Sequence, residues 1–575
     1  MRIGMRTLLA LVGCLGAAAL SAPNVAQACG GFFCNSASPV NQQAERIVFA
    51  KGDDGKVTAI IEIKYAGPSN QFAWMLPVSG KPTVRVSSTA ALDRLQAQTN
   101  PQYTLNTIVE GTCRDDLGFF GTGVPGSSDN ARDGGTALEG DGSGVSVVDR
   151  GSVGPYDYVI LAVDASETDK VGVAVEWLSS RGYDVNEFGS DRLKPYLDAG
   201  MNLLTFKLSK GFDSGAIRPV MLEFGSGLPA IPLRPTAVAA TNDMGVLVWV
   251  LAETRAVPAN YLSLELNEAL INWFSPGLTY NAVVTRAANE AGGQGFVTEF
   301  AGDANAIDQA VFPDFLETQW ATIKRTDWTN REGELLSTVI GAFGPNADGT
   351  RDVFAENLVP PDGISLDEFL SCVFCYLDYG TTDIQGFEPA KFLTDFDKNV
   401  AEPLKATQEL LRAQAYVTRL YTTMSPDEMT KDPMFDFNAD LPSISNVHTA
   451  DRIIECSPEV DRSDASWRVK LANGQVVRGR GSQWPFAADD EGLPANERTV
   501  RLGTEGEGEV VDDNIRVIAA ALSDHNAGVP STASSAGGSG LCSTKPGSGE
   551  RSAGLGFAGL LALGMFVAAR RRRGR

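Results

Sequence analysis

The sequence predicts an α+β protein: an antiparallel β-sandwich-like core with an α/β insertion, a helical C-terminal half and a small β segment. Three patterns carry this. Residues 45–88 hold successive runs in which apolar and polar side chains alternate, residues 300–435 carry helical spacing, and residues 450–520 return to short alternating runs. Period-two alternation buries one face of a strand, and 3-4 spacing buries one stripe of a helix. Three strands joined by short turns favour an antiparallel sandwich sheet.

In chain order, Ile47-Val48-Phe49 leads through the turn Asp53-Asp54-Gly55-Lys56 into a second strand. There Val57, Ala59, Ile61, Ile63 and Tyr65 alternate with Thr58, Glu62 and Lys64. Gly67-Pro68 turns into a third strand marked by Phe72, Trp74, Leu76 and Val78. A short helix is expected from Thr89 to Gln98, closed by Asn100-Pro101. Residues 121–154 contain few large apolar side chains and are expected to form a mobile insert.

A strand at Tyr158–Val163 follows. Next comes a helix from Val171 to Ser180, with Val175 and Leu178 inward and Gly182 as its stop. Leu204, Phe206 and Leu208 begin another strand, and Val220, Leu222 and Phe224 alternate in the next. The turn Asn242-Asp243-Met244-Gly245 enters Val246–Leu251, which is apolar on both faces and therefore central and covered on both sides. Leu410, Ala413, Val417, Leu420 and Met424 recur at 3-4 spacing and predict a helix over Pro403–Met424. Ser425-Pro426-Asp427-Glu428 reads as the capping box of a further helix. Trp467–Leu471 and Gln475-Val476-Val477 flank Asn473-Gly474, a hairpin signal.

The ends predict export. Arg2 and Arg6 precede an apolar run from Leu8 to Leu20, and Ala26-Gln27-Ala28 precedes Cys29. A basic head, an apolar stretch and a small-x-small exit make a secretory signal peptide, cut between Ala28 and Cys29 by signal peptidase. A rival cut before Cys14 rests on Leu11-Val12-Gly13-Cys14, which fits a lipobox. At the other end, residues 526–541 are rich in Gly, Ser and Ala and predict a flexible linker. After Cys542, the uncharged stretch 553–569 precedes Arg570, Arg571, Arg572, Arg573 and Arg575. Seventeen residues at ~1.5 Å rise make a marginal bilayer span of roughly 25 Å. The Arg cluster is expected to stay cytoplasmic.

A lone Cys in a Gly/Ser-rich linker, a short Gly/Ala/Leu helix and a terminal Arg run resemble the Myxo-CTERM sorting tail. The resemblance implies cutting near Cys542 by a sorting protease, loss of the helix and a lipid on the Cys. The chain would then be held in the cell envelope, at the outer surface, through its C-terminus. The alternative is an ordinary single-pass tail.

The whole chain carries a formal charge of −23. Removing the two ends takes away nine of 48 basic residues and one of 71 acidic residues, so residues 29–542 carry −31. Such a surface repels phosphate backbones, which argues against nucleic-acid binding. Domain ranges are expected at 29–290 (β-rich), 291–445 (mainly helical) and 446–525 (a small β-rich region).

Six cysteines precede the tail: Cys29, Cys34, Cys113, Cys372, Cys375 and Cys456. An even count in an exported chain predicts disulfides, and the sequence leaves all 15 pairings open. Cys372-Val373-Phe374-Cys375 is a CxxC. Leu366–Leu370 reads as helix already under way before it, unlike a thioredoxin-type site, so a structural disulfide is preferred. Zinc lacks a ligand set with only two His, and no catalytic residue is assigned. His448 and Asp451 lie three apart without defining a triad. Asp436, Asn438 and Asp440 begin like a calcium loop, but Leu441 replaces the Gly and Val447 the closing Glu. No cofactor is expected; calcium at sandwich loops is the better inorganic candidate.

The stretches CGGFFC (29–34), AERIVFA (44–50), FAWMLPV (72–78), WLSSRGYDV (177–185), GVLVWVL (245–251) and RAVPANY (255–261) resemble a bacterial family. It is the domain-of-unknown-function family numbered 2330, and the likeness extends less clearly to RLYTTMSPDEM (419–429). It implies export and a shared fold, and no catalytic residue. The expectation is an exported, anchored binding or envelope-structural protein with an unknown surface ligand. The alternative is an extracytoplasmic enzyme, either a thiol oxidoreductase using Cys372 and Cys375 or a metal-dependent hydrolase.

Overall fold

Val246–Leu251 is apolar at every position, and the molecule is built around it. The computed structural model describes residues 41–533 apart from 67–72, 115–144, 182–186, 209–216, 226, 345–349, 378–383 and 385. Strands are numbered in chain order. β10 (Ala240–Ala252) lies inside a ten-stranded sheet. On one side follow β1 (Asn41–Lys51), β2 (Val57–Ala66), β9 (Val220–Phe224) and β4 (Thr83–Val86). On the other follow β14 (Tyr416–Met424), β13 (Gly295–Asp303), β12 (Leu262–Leu266), β19 (Asn496–Arg501) and β20 (Glu509–Asp513).

A second sheet orders β3 (Ala73–Val78), β8 (Asn202–Leu208), β7 (Tyr156–Val163) and β6 (Val145–Val153). A third orders β18 (Val476–Arg480), β17 (Ser466–Lys470), β16 (Val447–Glu455) and β5 (Gln102–Glu110). β11 (Ala256–Pro258) pairs with β15 (Phe435–Phe437).

One face of the large sheet packs on the second sheet, joining Phe49, Ile61 and Val248 to Trp74 and Phe206. The far side of the second sheet is covered by the helices Lys170–Ser179 and Glu187–Asp198 through Trp177, Leu178 and Leu193. The opposite face of the large sheet is roofed by the helix Thr89–Thr99 and by helices between Asp308 and Arg412. An aromatic cluster of Trp320, Phe343, Phe392 and Phe396 fills that helical layer. The third sheet packs against the helices Tyr280–Glu290 and Ile515–Ala527 through Trp467, Val283 and Ile518. The α+β class therefore stands, with a sandwich at its centre and helices concentrated in the C-terminal half.

Several expectations change. Residues 403–424 are not one helix: Glu402–Arg412 is helical, and Tyr416–Met424 is β14, hydrogen-bonded between β10 and β13. Tyr416, Val417, Thr418, Tyr421, Thr422 and Thr423 are β-branched or aromatic and suit a strand. The capping box closes halfway, with Glu428 accepting from the Ser425 N–H at 2.7 Å, but only a turn follows. Asn242–Gly245 is not a free turn; it lies within β10, where Asp243 is left-handed (φ 53°) and the register against β1 slips. The third strand of the expected meander leaves the first two and joins the second sheet. Among the described strands three pairings, β1 with β10, β12 with β13 and β16 with β5, run parallel, the second of them through a crossover that contains the helix Tyr280–Glu290.

Leu178 points inward as expected, whereas Val175 is half-buried and Ala174 and Trp177 are the other buried residues of that helix. The ranges 29–290, 291–445 and 446–525 do not separate, since strands from all three share the large sheet. The linker does not begin at 526, because Asn526 and Thr532 are hydrogen-bonded into the third sheet. Of the insert 121–154, residues 145–153 form β6 and Gly154 turns out of it, while 121–144 lie outside the described residues.

Candidate functional site

The helix Thr89–Thr99 starts where the Ser88 hydroxyl accepts from the Ala90 N–H and stops before Pro101. Ala91, Leu92 and Leu95 bury one flank on the large sheet. Its Asp93, Gln96 and Thr99 meet charges that rise from the sheet. Arg46 of β1 donates through Nε to Glu62 Oε2 of β2 at 2.5 Å. Its Nη1 donates to Asp93 at 2.7 Å and to Gln96 Oε1 at 2.8 Å. Arg419 of β14 donates to Glu299 of β13 at 2.5 Å, to the Gln96 carbonyl at 3.2 Å and to Thr99 Oγ1 at 3.1 Å. The Trp249 indole N–H donates to the same Thr99 hydroxyl at 3.0 Å.

The seam continues to the third sheet. Tyr280 donates its phenol to Glu299 Oε1 at 2.5 Å. The Tyr103 ring of β5 lies 6.0 Å from the Tyr280 ring and stacks on His448 at 4.6 Å. His448 Nδ1 lies 2.7 Å from Glu268 Oε1. Burial first, and then Glu299 and neighbouring Tyr103, push the Tyr280 phenol far above its ordinary range. Burial, Glu268 and Glu299 do the same for Tyr103. Burial, with Glu299 second, brings Tyr421 up to about 12. These phenols therefore remain protonated donors across the physiological range.

The side chains of Arg419 and Glu299 are 5% and 1% exposed. A buried pair of this kind adds little net stability over well-packed apolar residues, but removing one partner strands the other charge. The seam thus ties β1, β2, β10, β13, β14 and the helix Thr89–Thr99 into one register. Its charges serve one another.

The other face of the same sheet differs. Glu45 is buried there among apolar side chains, and its Oε2 has no hydrogen-bond partner. Burial alone pushes its carboxyl up to about 8.

Among the sequence-predicted residues, Cys113 and Cys456 form one disulfide and Cys372 and Cys375 another. The CxxC pair sits at the C-terminal end of the helix Leu366–Ser371, where carbonyls disfavour a thiolate. Ala28, Cys29, Cys34, Cys542 and Arg570–Arg573 lie outside the described residues, as does the stretch 553–569. Among the described residues no helix is long and apolar enough to cross a membrane.

His448 and Asp451 do not converge. His448 meets Glu268, whereas Asp451 accepts from Asn106 at 3.2 Å. The calcium-like triplet is turned to loop docking: Asn438 donates to the Gly503 and Gly506 carbonyls, and Asp440 accepts from the Gly506 N–H. Arg255 fixes a strand end by donating to the Pro442 carbonyl at 2.9 Å. In the helical layer a cavity of about 960 Å³ is bordered by Trp328, Glu332 and the Lys324–Asp397 pair (2.7 Å).

Sequence reasoning missed Arg46, Glu62, Glu299 and Arg419. A signal was present at Arg46 and Arg419, each a charge set against apolar neighbours in its strand, whereas Glu62 falls on the polar side of the alternation in β2. Arg46, Trp249 and Arg419 all fall within the stretches that carry the family resemblance.

The family described as an uncharacterized protein conserved in bacteria, DUF2330, matches residues 23–436. No curated protein matches. Two solved structures of a mutated baculovirus P35 after caspase cleavage were also found. The first has 10% identity and a TM-score of 0.20, covering 39% of this chain and 78% of that one. The second has 11% identity and a TM-score of 0.21, covering 39% and 77%. A likeness that low carries no argument about fold or function.

Proposed function

This chain belongs to the DUF2330 family of uncharacterized proteins conserved in bacteria, and from that premise we propose an exported, acidic, C-terminally anchored envelope protein that works by binding or as structure. The observation that carries the reading is the Cys113–Cys456 disulfide, which joins residues 343 apart. Such a bond persists in oxidising compartments outside the cytoplasm. The signal-peptide pattern ending at Ala28 and the Cys542 tail agree with it. The polar seam supports a mechanical rather than a chemical use of its buried charges, because they neutralise one another across strands.

Cell fractionation with mass spectrometry of the mature chain tests the reading. The expected product starts at Cys29, ends near Cys542 and stays with the envelope fraction. Cys542→Ala should release the chain or leave it unprocessed. A major species that starts at Met1 and stays in the cytoplasm would sink the proposal. Thiol titration addresses the oxidoreductase alternative: a Cys372–Cys375 bond resistant to glutathione is the expected result.

A further inference from the structure

The first compact unit ends at Ala533, and its last residues are firmly held. Thr532 is buried, 7% exposed. Its hydroxyl donates to the Glu455 carbonyl of β16, and its N–H donates to Ser466 Oγ of β17 at 2.9 Å. The Ser466 N–H donates back to Thr532 Oγ1 at 3.1 Å. Just upstream, Arg478 Nε of β18 donates to the Val529 carbonyl at 3.1 Å, and Asn526 donates to the Val476 carbonyl at 2.7 Å. The final residues are thus fastened to three strands.

Those strands are braced across their width. Glu455, 2% exposed, accepts from both Arg468 and Arg478 and from Ser466 Oγ. Burial pushes its carboxyl up, but hydrogen bonds from Ser531, Ser466 and Arg468, with the charge of Arg478, leave it below its ordinary range. Arg468 continues to Glu110 of β5 with two bonds of 2.8 Å. One ladder of charge therefore crosses all four strands of the third sheet.

Next to it, the Cys456 N–H donates to the Glu110 carbonyl at 2.7 Å, and Cys456 is bonded to Cys113. Gly111 allows this close approach. Its φ is +86°, and a Cβ there would lie 2.3 Å from the Cys456 carbonyl oxygen.

We infer that the third sheet is a mechanical mount for a C-terminal tether. Thr532 passes a pull to β16 and β17, the charge ladder spreads it over four strands, and the Cys113–Cys456 bond keeps the intervening chain out of the extending path. Bonds loaded together yield together, whereas an unfastened end peels one bond at a time. The inference rests on the anchoring reading, since a mount has a use only if the chain is held from its C-terminus.

Magnetic tweezers on the chain from residue 29 to 542, with handles at both ends, test it. The oxidised wild type should hold 515–533 in place until the third sheet itself opens. Thr532→Val combined with Ser466→Ala should add an early, low-force step of roughly 65 Å as those residues peel away. Arg480→Met, which removes only an exposed 3.3 Å bond to the Pro530 carbonyl, should not add that step. Reductant should release roughly 1,200 Å of chain hidden between residues 343 apart. A wild type that already shows the early step, or a double variant that does not, overturns the mount. The double variant's fold is checked by its retained Cys113–Cys456 bond and near-UV circular dichroism. The tether is read separately: a mature chain that keeps Arg570–Arg575 removes it, whatever the tweezers record.

Discussion

Glu45 and Arg46 are neighbours on one strand and face opposite sides of one sheet. Arg46 points to the helical side and meets Glu62, Asp93 and Gln96. Glu45 points into the sandwich, 4% exposed, with one carboxylate oxygen unpartnered. The helical face has polar groups to offer because a helix lying on a sheet brings long side chains such as Asp93 and Gln96 down to it. The sandwich face is sheet against sheet, with Ile47, Phe49, Trp74 and Phe206 interleaved. A buried ionisable side chain is therefore cross-bracing on one face and a liability on the other. Desolvation costs are alike; partners decide which it becomes.

The contrast can be broken in four ways. The largest effect is expected for Arg46→Met, which leaves the 4%-exposed side chain of Glu62 without its main partner. Urea denaturation should show a loss of roughly 4–5 kcal/mol. Adding Glu62→Leu should restore most of it, because an apolar pair leaves no charge stranded. A double variant as unstable as the single one would mean that the seam is held by more than this pair.

Second is the pH dependence of Glu45. Its folded carboxyl titrates near 8 against an ordinary 4.5. Between those values the native state keeps a proton that the unfolded chain has lost, so stability falls as pH rises through that window and levels off above about 8. Melting between pH 5 and pH 9 should show a decline on the order of 4 kcal/mol that Glu45→Gln abolishes. A wild type whose melting is flat over that range would show that Glu45 is solvated or paired.

Third, Trp249→Phe removes the donor to Thr99 and leaves a cavity where the rest of a fully buried indole stood. A cost of roughly 2–3 kcal/mol is expected in the same denaturation assay. The smallest effect belongs to Asp93→Asn. Asp93 is 42% exposed, and a change below about 1 kcal/mol, shrinking further in salt, should follow. A larger loss would place Asp93 among the buried braces.

The elements read most easily were those whose surroundings repeat along the chain. β10 is covered on both faces and shows it as an unbroken apolar run. The β17–β18 hairpin announces itself through Asn473-Gly474, where Gly474 takes φ 85°. β14 was misread because it too is covered on both faces, so period two is blurred. Its apolar positions fall by chance at helical intervals, while its Tyr and Thr content was the better guide. The seam was hidden for another reason. Residues 46, 62, 93, 249, 299 and 419 become neighbours only after the large sheet has assembled, and no local spacing records that.

The sequence by itself determined the α+β class, the strands and helices with strong periodicity, the acidic surface, the family resemblance and the expectation of disulfides. Tertiary structure decided the rest: which cysteines meet, that three strand pairs run parallel, that 416–424 is sheet and that Thr532 is still part of the fold. The physical reason is range. Backbone propensity and side-chain period act over a few residues and are written locally, whereas pairing, burial and charge compensation depend on segments hundreds of residues apart.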